Sequence, residues 1–272
     1  MRIWLYCIIY GIIQGITEWL PISSTGHLIL FEKFVSFQFS DTFLETFRVF
    51  VHFGSVFAVF SLYFKKIYPF GKNKDVKEKK KIFFLWKKVI LAVIPAGVIG
   101  FLFDDWFTEN FYNYFTVSVT LIVYGVLFVF FERIKKGENQ KITDLNDIPF
   151  STAFLIGAFQ ALAIIPGTSR SGATILGAML LGCSRTVSAE FSFFLATPVI
   201  FGASFLKLFK YGLFFSSEEL IVLSVGALVS FIFAKLSVGF LVSYVKKHGF
   251  ALFGYYRIAL GIFVLIIFSF YK

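Results

Sequence analysis

The sequence predicts an all-α integral membrane protein: six transmembrane helices plus two re-entrant helical hairpins in an inverted-topology repeat, all within a single membrane domain of residues 1–272. Three observations carry that prediction. Mean hydropathy is +0.81 with only 15% charged side chains, values that exclude an ordinary soluble domain. Six apolar segments are long enough to cross a bilayer at roughly 20 residues per span. Four further segments form two pairs, each broken at its centre by proline and a run of Ser, Thr and Gly.

The first broken pair occupies 3–20 and 26–39. Met1 to Leu20 carries one positive charge ahead of an apolar run, as a signal peptide would. Gln14 and Glu18 interrupt that run and no small-residue cleavage site follows, so the segment is read as structure. Spans follow at 43–64, 84–103 and 113–132; the second broken pair is 150–165 and 171–182; the last spans are 189–209, 218–236 and 251–271. The polar stretch from Lys65 to Lys81 is too short to build a soluble core. Interrupted apolar segments with polar loops suit re-entrant hairpins, which a bilayer tolerates where protein or a watery cavity surrounds the loop.

The two pairs resemble each other. Gly11-Ile-Ile-Gln14 matches Gly157-Ala-Phe-Gln160, and Pro21 through Ser24 matches Pro166 through Ser169 at an offset of 145, which also sets Ala58 on Ala203. The repeat units are then about 1–132 and 150–272. Three spans between the hairpins make the topology inverted, with both loops converging near the midplane. Charge agrees: 18 of the 26 Lys and Arg fall in 65–88, 133–149, 183–188 and 235–248, which marks that face as cytoplasmic and puts both termini outside. The net charge of +10 is therefore topological, and no nucleic-acid partner is expected. The 41 Phe read as lipid-facing and packing residues, and Cys7 and Cys183 as small core residues.

Chemistry concentrates in the two loops. Pro166-Gly-Thr-Ser-Arg-Ser-Gly-Ala-Thr174 holds the only charge between Asp147 and Arg185. Burying Arg170 in a bilayer costs roughly 2.5–3.5 kcal/mol or more unless an anion meets it. Backbone N–H groups near Gly167 and Gly172, with Ser169, Ser171 and Thr174, suit phosphate oxygens. The plainer reading is a kinked helix break whose arginine pairs with an internal carboxylate. In the first loop Gln14 and Glu18 are spaced i, i+4 and share a helix face. Their oxygens suit a hard cation such as Mg²⁺, with water and phosphate completing the shell. A salt bridge from Glu18 to Arg170 is the metal-free alternative, and the two are compatible.

Ser23, Ser24 and Thr25 can cap a helix, but three hydroxyls followed by Gly26 and His27 exceed what a cap needs. A nucleophilic serine needs a base, and His27 is the nearest histidine in sequence. His27 can equally attack phosphorus itself or protonate a leaving group. His52 reads as a polar residue in an apolar span and His248 as a surface residue. Together the loops offer a carboxylate, an imidazole, a guanidinium, hydroxyls and glycine amides, a set suited to phosphoryl transfer. Between lipid-facing helices, the matching substrate has a phosphate head and a long apolar tail.

At Gln14-x-x-x-Glu18, Pro21-Ile-Ser-Ser-Thr-Gly-His27 and Pro166 to Thr174 the chain resembles the bacterial undecaprenyl-pyrophosphate phosphatases, the bacitracin-resistance family, over essentially its whole length. The resemblance implies a multi-pass hydrolase of the bacterial plasma membrane, acting on its extracytoplasmic side. Such an enzyme removes the terminal phosphate of undecaprenyl pyrophosphate and recycles the lipid carrier for peptidoglycan and other wall polymers. It also implies a divalent cation, Mg²⁺ or Ca²⁺. By position, Glu18 and Gln14 become the acidic, metal-associated residues and Ser24 the nucleophile. His27 becomes its catalytic partner, Arg170 the pyrophosphate clamp, and Ser169, Ser171 and Thr174 the phosphate pocket. Many relatives carry Glu at position 14, which leaves metal stoichiometry open. The partners expected are the polyprenyl pyrophosphate lipid and the bilayer, with a homodimer kept open. Two other readings compete. A lipid phosphatase of the other common membrane type needs a second histidine in a later motif, and none lies between His52 and His248. A polyprenyl-phosphate flippase or secondary transporter would share the inverted repeat.

Overall fold

The computed structural model describes residues 3–35, 40–72, 74–134, 140–211 and 215–270. Positions 36–39 and 271 of the expected segments, and 135–139 of an expected cytoplasmic loop, lie outside them. The described residues form ten α-helices: α1 (Ile3–Thr17), α2 (Ser24–Phe34), α3 (Asp41–Ile67), α4 (Val76–Phe111), α5 (Tyr114–Ile134), α6 (Phe150–Ala161), α7 (Arg170–Leu180), α8 (Arg185–Tyr211), α9 (Ser217–His248) and α10 (Ala251–Phe270). A 3-10 turn, Leu145–Asp147, precedes α6 and another, Leu162–Ile164, follows it. Six helices, α3, α4, α5, α8, α9 and α10, are long and apolar enough to cross a membrane. The four expected as broken arms are short, each of 11 to 15 residues.

Several helices outrun their apolar segments. Helix α4 starts at Val76, eight residues before the expected 84. Asp75 caps it by accepting the Glu78 N–H at 2.6 Å, and the lysine-rich turns that follow are good helix formers. At the C-terminal end of α9 the helix continues past 236 to His248, and Gly249 closes it at φ +72°. Hydropathy finds the part of a helix inside lipid; backbone hydrogen bonding carries the helix on into water.

The helices exchange partners between halves. α1 packs on α9 and α6 packs on α4, while α3 meets α8 and α5 meets α10. Small residues let the backbones touch: a Cβ on Gly11 would stand 2.9 Å from the Gly226 carbonyl oxygen of α9, and one on Gly157 only 2.0 Å from that of Ala92 in α4. This exchange is compatible with the inverted repeat expected from the sequence. The main core gathers around α7 and α8, with Ile175, Ala178, Phe191, Phe193 and Phe194 fully buried. Cys7 and Cys183 are buried as well, in separate apolar clusters.

Polar pins sit at the lysine-rich end. Lys66 of α3 bonds both carboxylate oxygens of Glu190 on α8 at 2.9 Å, and Arg185 pairs with Glu132. His52 stands about 20 Å and Arg48 about 26 Å along α3 from Lys65 and Lys66, at 1.5 Å per residue.

Candidate active site

Two short helices begin at serines of unusual conformation. Ser23 precedes α2 and Ser169 precedes α7, and both have φ +69°. Non-glycine residues rarely occupy that region, at a cost of order 1–3 kcal/mol each. Each serine caps its helix: Ser23 Oγ accepts from the Gly26 N–H at 3.3 Å, and Ser169 Oγ from the Gly172 N–H at 3.2 Å. The equivalent positions are therefore 146 residues apart, the spacing of Gly11 and Gly157, and Ser23 rather than Ser24 corresponds to Ser169. The capping oxygen sets the register, and the second loop has one more residue between proline and cap. Ser24 and Arg170 thus occupy the same first-turn position.

Both N-termini face one cavity of about 370 Å³. Ser23, Ser24 and Thr25 line it from the first hairpin, and Gly167, Ser169 and Arg170 from the second. First-turn N–H groups and the positive ends of two helix dipoles converge there, an arrangement that favours anions. The far wall is apolar, formed by Val49, Ala163, Val199, Ile200 and Ala203.

Glu18 is the hub. Its Oε1 accepts from Arg170 Nη2 at 3.0 Å; its Oε2 accepts from Ser24 Oγ at 2.9 Å and from Gln14 Nε2 at 2.8 Å. The Arg170 guanidinium lies 5.5 Å above the Trp19 ring, and its Nη1 is buried without a hydrogen-bond partner. A spare N–H on a residue that lines the cavity suits a second phosphate oxygen. Gln14 Oε1 is likewise buried and unpartnered. His52 Nδ1 donates to the Arg48 carbonyl at 2.7 Å, and its Nε2 stands 3.8 Å from Glu18 Oε2. Arg48, one turn before, borders the cavity and is held by Glu32 at 2.7 Å and Glu45 at 2.5 Å. A second cavity of about 660 Å³ adjoins the first through Ser24, Thr25, Arg48 and His52, and reaches Asp104, Asp105 and Tyr112 at the end of α4 remote from its lysines.

The model of one protein family, described as bacitracin resistance protein BacA, matches residues 7–263. The chain belongs to this family. It is 53% identical over 257 residues to an undecaprenyl-diphosphatase of Enterococcus faecalis, covering 93% of each chain. It is 52% identical over 261 residues to one of Acetivibrio thermocellus, covering 96% of each. A third, of Streptococcus mutans, is 48% identical over 262 residues, or 95% of this chain and 93% of the relative.

Not every residue that carried the resemblance to the BacA family faces the cavity. His27 Nδ1 donates to the Ser23 carbonyl at 2.7 Å, and its Nε2 accepts from the Tyr256 hydroxyl at 2.7 Å, with the rings stacked. Both nitrogens are engaged away from Glu18. Ser171 Oγ bonds the Glu18 and Leu20 carbonyls at 3.2 and 3.1 Å, tying hairpin to hairpin. Thr174 is buried against Ser192 Oγ at 2.6 Å. The N–H groups of Gly26 and Gly172 are spent in the caps, so neither glycine lines the cavity. Gly167, at φ +87°, lines it and packs so closely that a Cβ would stand 2.2 Å from Thr120 Oγ1.

Sequence reasoning took His52 for a polar residue of an apolar span and gave no role to Arg48, Trp19 or Arg257. A signal existed for two: Arg48 and His52 are spaced i, i+4 in an otherwise apolar span, hence on one face. Arg257 gave none. It is fully buried, bonds the Pro21 carbonyl at 3.2 Å and those of Gly167 and Thr168 at 3.0 and 2.9 Å, and so holds the two loop backbones together from behind.

Proposed function

We propose that the chain hydrolyses undecaprenyl pyrophosphate to undecaprenyl phosphate and inorganic phosphate, recycling the carrier lipid of cell-wall synthesis and thereby conferring bacitracin resistance. The observation that carries this reading is the shared cavity: two helix N-termini and the spare Arg170 N–H meet a carboxylate-bound serine hydroxyl beside an apolar wall. The pyrophosphate lies across the N-termini, its terminal phosphate on Arg170, and the polyprenyl tail leaves along Val199 and Ile200 towards lipid. Ser24 Oγ attacks the terminal phosphorus and its proton passes to Glu18 Oε2, which already accepts it. The anhydride P–O bond breaks and polyprenyl phosphate departs. Water then attacks the phosphoserine phosphorus and gives its proton to His52 Nε2, while Glu18 returns its proton to Ser24 Oγ as the Oγ–P bond breaks and inorganic phosphate leaves.

The buried, unpartnered Oε1 of Gln14 one helical turn from Glu18 is a hard oxygen donor set that fits Mg²⁺ or Ca²⁺. These two residues would hold such a cation, which when bound neutralises phosphate charge. Among the described residues no cluster of three His, Cys, Asp or Glu forms a site, so water and phosphate would complete its shell.

The cavity belongs to the end of α3 remote from Lys65 and Lys66, which supports an extracytoplasmic opening in the bacterial plasma membrane by the bias of basic residues to the cytoplasm. The exchanged packing of α1 on α9 and α6 on α4 supports an inverted repeat of about 1–132 and 150–272, each half entering with a re-entrant hairpin. Purified protein in detergent, where no second compartment exists, should release phosphate from undecaprenyl pyrophosphate, and Glu18→Ala should abolish release. Detergent-purified protein without hydrolysis, but with lipid translocation in vesicles, would assign the cavity to a flippase instead.

A further inference from the structure

The lysine-rich end of the molecule holds a cavity that the reaction does not use. It measures about 520 Å³ and lies between the first turns of α4 and the segment leading into α6. Lys77, Lys80, Lys81, Phe84 and Lys88 border it from α4. Their spacing of three, one, three and four places them in a single stripe about 16 Å long. Ile148 and Phe150 form the opposite wall, and the Phe84 and Phe150 rings meet edge to face with centroids 6.3 Å apart. The floor is thus apolar and the rim cationic.

Among the described residues the rim lysines take no direct ion pair, although the charges of Asp144 and Asp147 reach Lys88 and that of Asp144 reaches Lys81. The ion pairs described at this end are Lys66 with Glu190 and Arg185 with Glu132, and none includes Lys77, Lys80, Lys81 or Lys88. Lys88 is 5% exposed, and its ammonium donates to the Asn146 carbonyl at 2.6 Å and stands 5.8 Å over the Phe150 ring. The nearby Asp144 is engaged, its Oδ1 accepting both the N–H and the side-chain amide of Asn146 at 2.7 and 2.8 Å. A tight row of like charges around an apolar floor is unfavourable unless an anion joins it. Asp144, just before the 3-10 turn, and Asp147 within it offer two carboxylates to four ammonium groups.

We propose that this groove binds an anionic phospholipid, its phosphodiester on the four lysines and its first methylenes on Phe84 and Phe150. Charge complementarity names the anion, and the half-exposed rings name the lipid: Phe84 and Phe150 are 40% and 41% exposed, surface that inorganic phosphate would leave bare. Basic residues facing the cytoplasm meet an anionic leaflet, so the headgroup is at hand. The hydrogen bond from Lys88 to Asn146 couples the groove to the root of the hairpin that carries Arg170. The site is independent of the reaction assigned above.

The test uses full-length protein in a neutral detergent, titrated with dioleoylphosphatidylglycerol, dioleoylphosphatidylcholine or inorganic phosphate and read by native mass spectrometry and thermal unfolding. Phosphatidylglycerol should bind at least tenfold more tightly than phosphatidylcholine and raise the unfolding midpoint, with no shift from phosphate at equal concentration. The variant Lys77→Gln/Lys80→Gln/Lys81→Gln should lose that preference about tenfold and keep its phosphatase rate. The charge-matched variant Lys72→Gln/Lys246→Gln/Lys247→Gln should retain the preference. Equal binding of the two lipids, a phosphate shift matching that of phosphatidylglycerol, or equal losses in both variants would overturn the proposal.

Discussion

The two hairpins share a cradle and differ in what surrounds it. Ser23 and Ser169 take the same backbone conformation and cap in the same way, yet every residue of α7 from Ser171 to Met179 is buried while α2 buries only Gly26. The first-turn residue follows suit: the buried hairpin presents Arg170, the less buried one Ser24. A guanidinium in a medium of low dielectric needs fixed partners, and the second hairpin supplies a rigid mount against Glu18 and Trp19. A hydroxyl that reacts needs access, and α2 borders the larger adjoining cavity. On the proposed mechanism one geometry serves two tasks, anion holding and chemistry, according to how deeply it is packed.

The sharpest way to break that division is Arg170→Ala, which should lower kcat/KM by about 10³ or more through loss of the charge facing the developing phosphate anion. Arg170→Lys should still lose about 10²-fold, because a point ammonium cannot bond Glu18 and phosphate in one plane; turnover near wild type, measured as phosphate release, would end the argument. On the other hairpin, Ser24→Ala should lower kcat by about 10²–10³ with KM changed only a few-fold. A residual rate above about a tenth of wild type would hand the attack to water.

A smaller effect sharpens the choice of imidazole. His52→Gln should lower kcat about 10²-fold as a lost base. His27→Gln should cost less than about tenfold, since both its nitrogens are tied to Ser23 and Tyr256. The reverse order would return the base to the first hairpin. Smallest is a stability pair. Gly167→Ala should destabilise by about 2–3 kcal/mol, with a disfavoured φ and a Cβ 2.6 Å from the Val117 carbonyl oxygen. Gly26→Ala meets the end of the flexible Leu121 side chain at 2.9 Å and should cost under about 1 kcal/mol. Thermal unfolding in detergent distinguishes them, and equal midpoints would mean the hairpins are packed alike.

Much of the fold was legible because its signals are local. Apolar runs marked all six long helices, and proline with hydroxyl-rich loops marked both breaks. The i, i+4 spacing of Gln14 and Glu18 put them on one face, and they are in contact at 2.8 Å. The match between the two loops was legible only to within one residue, since prolines are easier to align than a capping oxygen. His27 drew the eye by proximity in sequence, but one helical turn rotates its ring toward Tyr256 on α10.

Sequence alone determined a membrane bundle with two interrupted helix pairs and a set of side chains suited to phosphate, because hydropathy, capping and residue chemistry act over a few neighbouring positions. Tertiary structure decided which of those side chains share the cavity. Glu18 reaches Arg170 across 152 residues, His52 arrives from a separate helix, and Arg257 closes the loops from behind. Such meetings are set by how helices pack against one another, and no local pattern encodes them.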